Sequence, residues 1–133
     1  MLKYSDYIKL DGIAAAEGIR NKEFTSAELT ACAIDRAKQI NPSINAIVHE
    51  SFDLAHEQAK YVDKQPELLK QSRVAGLPFL VKDLAEVKGL TTAYGSTLYE
   101  NHVSPQHANI VTRYIQAGLT ILGKTNKIGR AHV

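Results

Sequence analysis

The run Gly76-Leu77-Pro78-Phe79-Leu80-Val81-Lys82-Asp83 carries an apolar stretch straight into a lysine and an aspartate. Four consecutive apolar residues, Pro78 to Val81, read as a buried strand. An ammonium desolvated at the mouth of such a strand releases its proton more readily and can serve as a general base near neutral pH. The competing reading is a lysine that snorkels from a strand end, with its stem on apolar surface and its head in water. Spacing alone leaves both open, and Lys82 is the candidate catalytic residue.

A second motif, Gly118-Leu119-Thr120-Ile121-Leu122-Gly123-Lys124-Thr125, satisfies the spacing of a phosphate-binding loop. That chemistry needs a strand before the first glycine, a loop whose amides face the phosphate, and a helix after the threonine. Here a helical pattern precedes Gly118, and Leu-Thr-Ile-Leu is apolar and β-forming, so the segment reads as a buried strand. A small nucleotide-binding module is therefore the least supported reading. Metal binding fares no better. His49 and His56 are seven positions apart, about 10 Å along a helix, rather than the four that would put both imidazoles on one zinc ion. His102 and His107 lie in a polar connection without carboxylate or thiol partners nearby. No metal and no cofactor is expected.

The elements that must position Lys82 follow from periodicity. Thr25-Ser26-Ala27-Glu28 is a capping-box signature, and Leu29, Ala33, Ala37 and Ile40 recur at helical spacing until Asn41-Pro42. A weaker helix precedes it near Ile13 to Arg20, and a short strand is predicted over Ile44 to Val48. Ser51 is placed to cap a further helix carrying Phe52, Ala55, Ala59 and Val62, which runs down at Asp63 to Pro66 into a polar connection. The second half predicts a strand over Phe79 to Val81, a turn at Lys88-Gly89, an extended segment at Thr91-Thr92 and a sharp backbone feature at Gly95-Ser96. A helix from Asn109 should end at Gly118, before a strand over Leu119 to Leu122. Strand, helix and strand at this spacing imply an α/β architecture with a largely parallel pair, and the helical first half packs on one side of it.

Composition sets the outer limits. In 133 residues, 44% are hydrophobic and 23% charged, with sixteen basic against fourteen acidic residues, which describes a soluble globular chain. No dense basic cluster interleaved with aromatics appears, so no nucleic-acid partner is expected. The polar N-terminus does not resemble a signal peptide, and no apolar run approaches the roughly twenty residues of a membrane span. A cytoplasmic location without membrane contact is the expectation. The single cysteine, Cys32, fits a reducing compartment, and its helical context favours packing over catalysis. Oligomeric state is left open.

Taken together, the residues resemble the amidase signature family. The matching string comprises Gly76-Leu77-Pro78, Lys82-Asp83, Lys88-Gly89, Gly95-Ser96, Ala108 with Val111, and Ala117-Gly118 through Leu122-Gly123-Lys124-Thr125-Asn126, in order. The likeness covers 76 to 126 strongly. It extends weakly to Thr25-Ser26-Ala27-Glu28-Leu29 and to Ile40-Asn41-Pro42-Ser43-Ile44-Asn45-Ala46. It implies an α/β/α fold around a mixed sheet, with an N-terminal helical segment over 1–72 and the start of the catalytic domain over 73–126. It also implies hydrolysis of a carboxylic amide by a serine nucleophile, a second serine on a cis peptide and a lysine, with Lys82 in the lysine's place. By the same resemblance Asp83 is structural, orienting the turn or pairing nearby cations, and the full-length protein's partner is a small amide. After Lys82 the chain offers Ser96 and Ser104, neither in the Gly/Ser-rich segment that carries the family's serines, so these 133 residues alone are expected to hydrolyse nothing. The alternative is an amidotransferase A-type subunit that acts on glutamyl-tRNA(Gln). Leu84, where that branch often has asparagine, favours a stand-alone amidase. The ending Ile128-Gly129-Arg130-Ala131-His132-Val133 resembles a translated read-through of a sequencing-library adapter, so 127–133 is expected to be non-native. A strand at 119–122 meant for a larger sheet is expected to leave unpaired backbone and uncovered apolar surface.

Overall fold

In the computed structural model, which describes residues 1–126, six helices and three strands follow one another. They are α1 (Tyr4–Tyr7), α2 (Gly12–Arg20), α3 (Ser26–Ile44), β1 (Ile47–Glu50), α4 (Phe52–Asp63), α5 (Pro66–Gln71), β2 (Pro78–Lys82), α6 (Asn109–Gln116) and β3 (Thr120–Thr125). The tail expected to be non-native, 127–133, lies outside the described residues.

Helix α3 starts on the capping box read from the sequence. The Thr25 hydroxyl accepts from the Glu28 amide at 3.1 Å, and the Glu28 carboxylate accepts from the Thr25 amide at 2.9 Å. The helix runs two residues past Asn41-Pro42, the expected end, and closes on Asn45 in the left-handed region. Proline in the last turn forfeits one backbone bond. The Asn41 side chain bonds both the amide and the carbonyl of Ile47 and thereby fixes the entry to β1. Helices α1 and α5 were not expected from the sequence: each is under two turns, too short for periodicity to show, although Pro66 at the start of α5 is a helix-start signal. Ser51 sits at the N-cap of α4, but its hydroxyl donates to the Ile121 carbonyl at 2.8 Å and so ties the helix start to β3 instead.

The sheet has the order β1-β3-β2, with β2 parallel and β1 antiparallel to β3. One face packs Leu122 and Leu80 on Ala33, Ile34 and Ala55 of α3 and α4. The other packs Val81 and Ile121 on Val87 and on Val111 of α6. Helices thus cover both faces, and the first half contributes β1 as well as helices. β3 is longer than predicted and is the central strand, paired on both sides, so the expectation that it would carry unpaired backbone is corrected. The edges of the sheet among the described residues are β1 and β2. Apolar surface does remain open: a groove of about 520 Å³ runs between α3 and the sheet, and Ile44, Leu98 and Val103 are more than half exposed.

One irregularity decides which side chains meet. Phe79 aligns with Ile121, but Leu80 aligns with Gly123, which leaves Leu122 as an extra residue on β3. Past this bulge Lys124 stands beside Val81 and Thr125 beside Lys82, so the two lysines are not neighbours. Gly123 is required there, because a Cβ would collide with the His49 carbonyl oxygen on β1.

Candidate functional site

Lys82 closes β2, and its carbonyl anchors the turn that follows, accepting from the amides of Leu84 at 2.7 Å and Ala85 at 3.0 Å. The Asp83 amide then donates to the Thr125 carbonyl at 3.3 Å, holding the turn against the end of β3. The Lys82 side chain is exposed and makes no hydrogen bond or ion pair among the described residues. The desolvation predicted for it is therefore not supplied by residues 1–126. The sealed lysine is another one.

Lys124 is fully buried, with 0% relative exposure, and its ammonium donates to Asp83 Oδ1 at 3.3 Å and to Thr92 Oγ1 at 2.8 Å. Burial pushes its pKa below the ordinary lysine value, while the hydrogen bond and charge of Asp83, and then the charge of Glu86, oppose that shift. Asp83 is itself 2% exposed and also accepts from the Ala93 amide. It pairs a cation, one of the two structural roles that the family resemblance implied for it. Thr92 Oγ1 in turn lies 3.0 Å from Ser104 Oγ. Lysine, hydroxyl and hydroxyl in series would be a proton relay if a substrate could reach it. Thr92 and Ser104 are 0% and 1% exposed, so this series of groups is a structural network.

Around it, the 83–104 segment is held by a second cluster. Glu86 Oε1 accepts from the Tyr94 hydroxyl at 3.2 Å and lies 2.9 Å from His102 Nε2, and the rings of Tyr94 and His102 stack with centroids 6.3 Å apart. The His102 hydrogen bond is the leading cause of a Glu86 carboxyl pKa below the usual range. Tyr94 has φ 54° and Gly95 φ 70°, confirming the sharp feature read at Gly95-Ser96. A bulky residue in the left-handed region is costly, and the contacts on both sides of Tyr94 hold it there. Ser96 caps the short 3₁₀ turn at Thr97–Tyr99, accepting from the Leu98 amide. The structure brings neither Ser96 nor Ser104 to Lys82. A cleft of about 290 Å³ opens at the strand ends, lined by His49, Asp83, Ser96, Glu100 and Asn126 among others.

The phosphate-loop reading is excluded by geometry. Gly118 (φ +89°) ends α6, the four residues after it are buried, and Lys124 is sealed in the core where no phosphate can approach. Among the described residues no three His, Cys, Asp or Glu side chains converge as a metal site. Cys32 packs in α3 at 8% exposure, and burial raises its thiol pKa, which disfavours the reactive thiolate. No described helix is long and apolar enough to cross a membrane. Sequence reasoning missed the Lys124–Asp83 pair. The available signal was a lysine at the end of a run otherwise read as a buried strand, since such a group needs a buried counter-charge.

The amidase family profile matches residues 28–128. The chain is 37% identical over 111 residues to the A-type subunit of glutamyl-tRNA(Gln) amidotransferase from Pseudomonas putida, a match that covers 84% of this chain and 23% of that protein. Among solved structures it superimposes on the peptide amidase of Stenotrophomonas maltophilia with a TM-score of 0.80 at 26% identity, covering 90% of this chain and 25% of the other. A 6-aminohexanoate cyclic dimer hydrolase gives 0.77 at 28% identity, covering 88% and 23%. The chain spans about a quarter of the length of the relatives it matches.

Proposed function

The chain belongs to the amidase family, and from that premise we propose that it carries the lysine of an amide-hydrolysing site, with Lys82 as the first proton acceptor. The observation that carries this reading is the place of Lys82 at the carboxyl end of β2, the edge strand parallel to the central β3. The Lys82 head is free to meet a group brought from elsewhere, its carbonyl is pinned by the Leu84 and Ala85 amides, and the next amide, that of Asp83, is held on the Thr125 carbonyl. The nucleophile and the bridging serine come from sequence outside residues 1–126. In that arrangement the neutral Lys82 amine takes a proton from the bridging serine, which takes one from the nucleophile as its oxygen attacks the amide carbon. Backbone N–H donors stabilise the oxyanion, the amine leaves with the relayed proton, and water releases the acyl group. We place the reaction in the cytoplasm, on a small amide, without cofactor, nucleic acid or membrane.

A second reading, an amidotransferase A-type subunit that works with partner proteins, is favoured by the 37% identity to a protein of that name. Leu84 after Lys82-Asp83 points the other way, towards a stand-alone enzyme. Amide hydrolysis by the purified protein without partners supports the first, and activity that emerges only with partner proteins supports the second. Sequencing the source locus across the codons for Asn126 to Val133 tests both: a continuing frame with a Gly/Ser-rich segment and two serines is expected. A stop directly after Val133 would leave Lys82 without a nucleophile and contradict them.

A further inference from the structure

Resting on the reading of Lys82 as proton acceptor, we propose that Lys124 is a positioning residue whose buried ammonium cancels the Asp83 carboxylate and so keeps the environment of Lys82 free of a neighbouring negative charge. Three observations carry this. Asp83 follows Lys82 directly, and both its amide and its carboxylate fix the turn, the amide on Thr125 and the carboxylate on Ala93 and Lys124. The β3 bulge places Lys124 beside Val81, on the side where it meets Asp83, instead of beside Lys82. Lys124 also donates to Thr92, which is linked to Ser104, so a single cation fixes the start of the turn after Lys82 and both arms of the 91–104 segment.

The electrostatic consequence is specific. A sealed carboxylate with no counter-charge, one residue from Lys82, would hold the proton that Lys82 must release to act as a base. Glu86 is the other charge whose field reaches Lys124, and it has its own partners in His102 and Tyr94. Asp83 depends on Lys124 for its compensation.

The test is the rate of acylation of each lysine by an N-hydroxysuccinimide ester, read by peptide mass spectrometry on the purified 133-residue chain at fixed pH. In the wild type Lys124 should resist acylation while Lys82 reacts. Lys124→Met should slow Lys82 acylation about threefold or more, and Lys124→Met combined with Asp83→Asn should restore it. Asp83→Asn alone, which leaves the ammonium uncompensated, should speed Lys82 in the opposite sense, and it serves where Lys124→Met does not fold. A Lys82 rate unchanged in every folded variant, or Lys124 as reactive as the exposed lysines in the wild type, overturns the inference. No turnover enters the measurement. A catalytic role for Lys82 can therefore fail, by Lys82→Ala retaining amidase activity, while the charge coupling stands, and the reverse holds equally.

Discussion

An ammonium sealed at 0% exposure survives because two acceptors reach it, one of them charged, and because that carboxylate is itself bonded to a backbone amide. Removing one partner of such a pair leaves the other charge buried and alone. Lys124→Met should therefore cost about 3–5 kcal/mol of stability in urea unfolding, and adding Asp83→Asn should recover part of that loss rather than deepen it. Two additive losses would mean that the pair is not coupled. The Glu86–His102 contact gives a pH dependence with a definite sign. Because the hydrogen bond from His102 depresses the Glu86 carboxyl, the folded chain binds that proton less readily than the unfolded chain does. The contact therefore stabilises above the ordinary carboxylate range and is lost as pH falls through the depressed value. Glu86→Gln should flatten the acid limb of a stability–pH curve, and an unchanged limb would contradict the assignment. At this scale the sequence was half legible. The strand that ends in charge at Lys82-Asp83 could be read, and the family resemblance gave Asp83 a turn-orienting or cation-pairing role, whereas the partner of Asp83 lies forty-one positions away and carried the look of a phosphate-loop lysine.

At the scale of elements, the bulge on β3 does what alternation cannot announce. A strict two-residue period would set Lys124 beside Lys82. The extra residue Leu122 changes the parity and sends Lys124 into the core. Gly123 makes this possible by leaving room for the His49 carbonyl. Gly123→Ala should cost about 3 kcal/mol or more and loosen the β1–β3 pairing, seen as faster amide exchange at Ile47 to Glu50. Exchange as slow as in the wild type would show that the close approach is not needed. The helices were legible because α3, α4 and α6 carry long apolar stripes, and α6 was read from its first residue. The centrality of β3 was not, since strand order depends on β1, drawn from a half of the chain that read mainly as helix.

At the scale of the molecule, helices cover both faces of a three-stranded mixed sheet, but the outer edge of β2 and the groove between α3 and the sheet remain open. Lys82 ends that open strand, and the chain spans about a quarter of the length of its relatives. The purified 133 residues should accordingly release no ammonia or amine from small amides, and Lys82-dependent turnover by them would contradict this. The proposal for the full-length protein is a proton relay that begins at Lys82. Its most direct test is amide hydrolysis by the protein expressed from its full reading frame, comparing wild type with Lys82→Ala at matched folding. A loss of about a thousandfold in kcat/KM is predicted, the scale of general base catalysis, and a variant within about threefold of the wild type would contradict it.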